Sequence, residues 1–194
     1  MPSLPPLQPC DRPERMPKQN PASYDAEQRE AAAALVAGPR GEVRGPFVPL
    51  MRSPELMDRT QRLGEFLRYQ CSVPERLREF AIIVAARIWS QAYEWQAHAR
   101  LARAAGVASE TIQALADGEL SQTAPEDEQL VYDFCSTLHM TRQVDDALYA
   151  RAIALLGERG TIELVGLCGY YAYLAMVLNV ACVPCPGNAF EVPT

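Results

Sequence analysis

Between Leu77 and Ala102 the apolar side chains keep one repeating interval: Leu77, Ala81, Val84, Ile88, Trp95 and Ala102 follow one another by three, four or seven residues. That period belongs to an α-helical segment buried along one stripe, not to a strand. A chain built around such a segment must bury it among other helices. The same stretch carries Glu79, Gln91, Glu94 and His98, the last being one of only two histidines in the chain. Gln91, Glu94 and His98 are spaced three and four apart, so a helix places them on one face. Polar groups inside so apolar a run are costly unless they pair with one another or take part in chemistry.

The remaining chain bounds the answer further. Its 194 residues suffice for one domain with a real core, and 48% hydrophobic content argues against general disorder. A net charge of −6 without a basic stripe argues against a nucleic-acid partner. The most apolar run, Leu164 to Pro184, contains Asn179, glycines and the Tyr170-Tyr171 pair, and reads as a core helix instead of a membrane span. The first residues are Pro-rich without an apolar leader, and six cysteines then suggest reduced thiols in a cytoplasm.

Residues 1–22 hold seven prolines and cannot propagate a helix; they read as an arm, mobile or laid across a neighbouring subunit. Residues 23–185 read as a single helical domain and 186–194 as a tail. Ser23 is the expected cap of a first helix that runs to about Val36 and stops at Gly38-Pro39. Gly45 to Leu50 reads as an extended connector. Ser53-Pro54-Glu55 opens a helix, with Leu56, Met57, Leu63, Phe66 and Leu67 as its apolar face, and Ser72-Val73-Pro74-Glu75 opens the central segment. A break is expected near Trp89-Ser90, with Ser90 as the next cap. Shorter helices follow over Ser109–Ala116, from Glu126 to about Met140, and from Asp145 or Asp146 to Gly157. Thr161-Ile162-Glu163 is the expected start of the last long helix. The fold class is all-α, with about seven or eight helices and no strand.

Several motifs in this order resemble the carboxymuconolactone decarboxylase family, whose superfamily includes the AhpD-type alkylhydroperoxidases. They are Arg78-Glu79, Ala85-Ala86-Arg87, Tyr93-Glu94-Trp95 with His98, Ala104-Ala105-Gly106-Val107, Thr111 to Leu115 with Gly118, and Glu163-Leu164 followed by Gly169-Tyr170-Tyr171 and Asn179 to Pro184. The resemblance spans roughly residues 45–185. It implies an AhpD-like helical fold, assembly as trimers or hexamers, and no cofactor. In the peroxidase branch a Glu, a CxxC pair and a His relay protons. Laid on this chain, Glu79 and His98 take the Glu and His positions, while the two thiol positions fall on Gln91 and Glu94. No thiolate stands there to attack a peroxide. The sequence is thus similar to the decarboxylase branch, or to the large group of uncharacterised relatives.

That likeness implies a cofactor-independent decarboxylase, or a related lyase or isomerase, acting on a small carboxylated lactone or ring-derived acid in aromatic catabolism. Such a reaction needs a carboxylate held in place, a stabilised oxyanion and a proton delivered to carbon. His98 is the candidate general acid/base, with Glu94 orienting it or sharing its proton and Glu79 as a buried carboxyl of raised pKa. Tyr93 and Gln91 are candidate donors to the oxyanion, and Arg87 or Arg100 a candidate carboxylate clamp. His98 and Glu94 alone are too few ligands for a catalytic metal. Two rivals remain: a thiol oxidoreductase using the true CxxC pair Cys182 and Cys185, and a non-enzymatic helical oligomer whose polar face is an interface. The CxxC follows a helix end, where the dipole disfavours a thiolate, so a structural role is expected. Trp89 and Trp95 are expected in the core or a subunit contact. His139, beside Phe134, Cys135 and Leu138, is expected to be structural, and Cys10, Cys71, Cys135 and Cys168 read as scattered thiols.

Overall fold

The computed structural model describes residues 4–8, 12–185, 190 and 192. Among these the chain forms eight α-helices and no strand: α1 (Ala26–Ala37), α2 (Phe47–Leu50), α3 (Pro54–Tyr69), α4 (Glu75–Ile88), α5 (Ala92–Ala104), α6 (Ser109–Ala116), α7 (Glu126–Thr141) and α8 (Asp146–Ala181). Cys10 and most of the tail after Cys185 lie outside the described residues.

Helix α4 is the axis of the molecule, packing against α5, α7 and α8. Phe80, Ile82, Ile83 and Val84 are fully buried, so α4 is apolar on all sides through its middle, not on one stripe. Full burial of side chains of this size stabilises by about 1.5–3 kcal/mol each. The expected stripe residues Leu77, Ala81, Val84, Trp95 and Ala102 are all buried, while Ile88, beside the break, is half-buried.

The break falls where the sequence placed it, with a different cap. Ser90 adopts φ of 51°, and Gln91 is the N-cap of α5, its Oε1 accepting from the Tyr93 N–H at 2.8 Å. Gln91 Nε2 donates to Asn179 Oδ1 at 2.8 Å, and Asn179 Nδ2 donates to the Trp89 carbonyl at 3.1 Å, so α8 staples the elbow between α4 and α5.

Other boundaries differ for local reasons. Asp25, not Ser23, caps α1, through a capping box with Gln28. Gly45 to Leu50 is not extended: Phe47–Leu50 closes a short helical turn buried under α3 and α8. On α3 only Met57 and Leu67 of the expected apolar face are fully buried; Leu56 and Leu63 face outward. The last two helices join without a loop, because Gly157, at φ 68° and ψ 176°, turns the chain within α8 and helix resumes before Thr161. By length and composition α8 is apolar enough to cross a membrane, but 56% of its most apolar window is buried against protein, as in a core helix.

The described part of the N-terminal arm lies on its own chain. Leu4 is buried in the core, the Pro5 carbonyl accepts from Arg87 Nη1 at 2.8 Å, and the Gln8 N–H donates to Ser90 Oγ at 3.1 Å. Further along, the Arg15 N–H reaches the Ala181 carbonyl at 2.8 Å.

Candidate active site

The elbow folds α5 back along α4, and this brings side chains of the two helices together. Glu79, from α4, reaches His98, from α5, with Oε2 2.7 Å from Nδ1. On the other edge of the imidazole, Nε2 stands 3.5 Å from Glu94 Oε2 and 3.4 Å from the Tyr171 hydroxyl of α8. Tyr171 packs edge-on against the ring, with centroids 5.1 Å apart. Glu79, Glu94 and His98 are each 4% exposed, so the cluster is enclosed and still meets a cleft. That cleft is about 730 Å³ in volume, with Glu94, His98, Tyr93 and Tyr171 among its walls.

The two carboxyl groups answer to different surroundings. For Glu79, burial pulls the pKa up, but the hydrogen bond and charge of His98, with the charges of Arg68 and Arg78, outweigh it and hold the carboxyl below its usual range. For Glu94 burial dominates, and the charges of His98, Arg68 and Arg40 fail to compensate, so its pKa is raised. This reverses the sequence expectation, in which Glu79 was the raised acid. An ionised Glu79 accepts a proton-bearing Nδ1, which fixes the tautomer and leaves Nε2 facing the cleft. Burial also raises the pKa of the Tyr171 and Tyr93 hydroxyls, which keeps both as O–H donors.

The expected substrate-binding residues divide. Tyr93 and Arg100 line the cleft. Gln91 does not: both ends of its amide are used at the elbow, where it caps α5. Arg87 does not either; its Nε donates to the Ala116 carbonyl at 3.0 Å and its Nη1 to Pro5, which makes it a tie between α4, α6 and the arm. The positive charge of the cleft comes instead from Arg40, Arg44 and Arg68 together with Arg100, opposed by Glu42 and Glu94. Arg68 and Arg40 each keep a buried Nε without a hydrogen-bond partner among the described residues. Arg68, Arg40 and Arg44 carried no spacing signal, since they come from α3 and the segment before α2. Tyr171 had one, in the Gly169-Tyr170-Tyr171 motif.

Among the described residues no group of three or more His, Cys, Asp or Glu side chains is placed to hold a metal ion. The two glutamates address opposite nitrogens of the imidazole and so share no common vertex.

Residues 54–123 match the carboxymuconolactone decarboxylase family. The matched segment runs from α3 past α6 and holds Glu79, Glu94 and His98, whereas Tyr171 and Asn179 come from α8 outside it. No curated protein and no solved structure matches the chain. Within the matched segment Gln91 caps a helix and Glu94 flanks the imidazole, at the positions where the resemblance would put the thiols of the peroxidase branch. The CxxC pair stands elsewhere, with Cys182 as the left-handed C-cap of α8 and burial raising the pKa of the Cys185 thiol, an environment that works against a reactive thiolate.

Proposed function

We propose that this protein is a cofactor-independent decarboxylase, or a closely related lyase or isomerase, acting on a small carboxylated lactone or ring-derived acid. The observation that carries the reading is the enclosed Glu79–His98–Glu94 cluster at the wall of an arginine-bearing cleft. The family match supports carboxymuconolactone decarboxylase-like chemistry in general; the substrate and the residue roles are inferred from the geometry.

In the proposed reaction the bond between the substrate carbon and its carboxylate breaks, and carbon dioxide leaves. The electron pair moves into the conjugated carbonyl, giving a dienolate. Nε2 of His98 delivers a proton to carbon, Glu79 stabilises the imidazolium from Nδ1, and Glu94 exchanges protons at the Nε2 edge. Tyr171 and Tyr93 offer O–H donors to the developing oxyanion. An arginine gripping the departing carboxylate would stabilise the ground state and slow its loss. Arg68 and Arg40 are therefore assigned to the oxyanion side or to a second acid group.

The test is carbon dioxide release from a panel of carboxylated lactones and ring-derived diacids. Turnover should fall by about 10²–10⁴-fold in His98→Gln, the usual contribution of a positioned general acid. An unchanged rate in that variant would remove His98 from the chemistry, and no release from any member of the panel would remove the decarboxylase reading.

A homo-oligomer is part of the same proposal. Ile162, Val165, Met176 and Val180 form one outward stripe along α8, and Ile162 is 70% exposed. An exposed apolar stripe of this kind marks an interaction face, assigned here to a second copy of the chain.

A further inference from the structure

Three cysteine and histidine side chains that read as unconnected in the sequence meet between α7 and α8. Cys135 and Cys168 are 33 residues apart in the chain, yet their sulfurs stand 3.4 Å from each other. Both are buried, Cys135 completely and Cys168 to 3% exposure. Bonded sulfurs sit about 2.05 Å apart, so a rotation that closes about 1.4 Å would join them. His139 lies one helical turn beyond Cys135, half-buried, and its Nε2 has no hydrogen-bond partner among the described residues. None of the three lines the cleft at His98.

The two thiols are chemically unequal. The hydrogen bond between them lowers the pKa of Cys168 most; burial opposes this, and the hydrogen bond and charge of His139 add to the lowering, so Cys168 is held below the usual thiol range. The same bond, with burial, pushes Cys135 well up. His139 acts on Cys168 and not on Cys135, which favours Cys168 as the attacking sulfur and leaves Cys135 to resolve.

We propose that Cys135 and Cys168 form a thiol pair oxidised by hydrogen peroxide or a similarly small hydroperoxide, closing a disulfide that ties α7 to α8. The Cys168 thiolate attacks the O–O bond; an S–O bond forms, the O–O bond breaks, and the departing hydroxide takes back, by way of the His139 imidazole, the proton that Cys168 released, leaving as water. The Cys135 sulfur then attacks the sulfenic sulfur of Cys168. The S–S bond forms, the S–O bond breaks, and the Cys135 proton leaves with the hydroxide as a second water. Two thiols lose two electrons and one peroxide becomes two waters. Burial of both sulfurs excludes a bulky disulfide, so the oxidant that reaches them has to be small.

The experiment treats the reduced full chain with stoichiometric hydrogen peroxide, then denatures it in an alkylating reagent and maps every cysteine by peptide mass. The expected result is loss of two alkylatable thiols and a linked peptide pair containing Cys135 and Cys168, two hydrogens lighter than the sum of its parts. In Cys135→Ser the link is absent and Cys168 is trapped by a sulfenic-acid probe; His139→Gln slows the oxidation on the order of 10²-fold. Far-ultraviolet dichroism and a melting curve confirm that each variant is folded, and the parent chain alone gives the primary readout. Oxidised glutathione at the same concentration should leave both thiols alkylatable. The proposal is overturned if Cys135 and Cys168 stay reduced while Cys71 or Cys185 oxidises, or if glutathione disulfide oxidises the pair as fast as peroxide does.

Discussion

Glu79 and Glu94 flank one imidazole and are pushed in opposite directions, and each shift fixes a dependence on pH. The pKa of Glu79 is lower in the folded chain than its ordinary 4.5. Its contribution to stability is therefore fully present above that value and is lost as pH falls through the folded pKa. Glu94 is raised, so the folded state keeps its proton longer than the unfolded chain does, and stability declines as pH rises from 4.5 until the folded pKa is passed. Glu94→Gln should remove that decline, giving a melting temperature that gains on the parent as pH increases; a parallel pair of curves would contradict the raised pKa. Glu79→Gln should cost turnover about ten- to a hundredfold, since a hydrogen bond to a charged group is worth about 1.5–3 kcal/mol, with binding of substrate little changed. At this scale the sequence showed the part of the site that one helix carries. Glu94 and His98 were legible because a turn of α5 separates them, and Glu79 through the family motif. Arg68 and Arg40 were not, because their place at the cleft depends on how α3 and the segment before α2 pack, which no periodicity encodes. Arg87 read as a clamp from its charge alone, and only packing reveals that its Nε and Nη1 are taken by backbone carbonyls.

The helices themselves were legible wherever a start or stop signal stood alone. Pro54, Ser109 and Glu126 begin helices where the sequence placed their starts, although none of the three has a side-chain cap, and the interruption near Ser90 was visible as well. The failures lie where two signals competed: Ser23 and Asp25 both offered a cap, and the prolines around Phe47 masked a single helical turn. Contacts between elements add what spacing cannot. Gly64 sits inside α3, where alanine is the better helix former by about 1 kcal/mol. A Cβ there would meet the Tyr170 hydroxyl of α8 at 2.0 Å and Arg40 Nη2 at 2.5 Å. Gly64→Ala should therefore destabilise the protein by about 1–3 kcal/mol in urea unfolding, the cost of overpacking, despite its better propensity. A variant more stable than the parent would mean that α3 and α8 do not approach this closely.

For the whole molecule, the proposed assembly rests on the outward stripe of α8. Ile162→Glu should lower the mass measured by sedimentation equilibrium without changing helical content, because a charge would be buried against the second copy. A parent chain that sediments as a monomer would leave the stripe without that role. The arm has a different consequence. Glu79 and His98 lie on opposite sides of the elbow, so the distance between acid and imidazole is set by the angle at which α4 meets α5. Residues 4–8 grip that corner at two points, through Pro5 to Arg87 and through Gln8 to Ser90. The proline-rich arm thus acts as a tether on the Glu79–His98 distance, although it touches neither side chain. Trimming the first eight residues should leave the cleft wall intact yet loosen the pairing at Nδ1, visible as a changed nitrogen-15 shift of His98 before any helix melts.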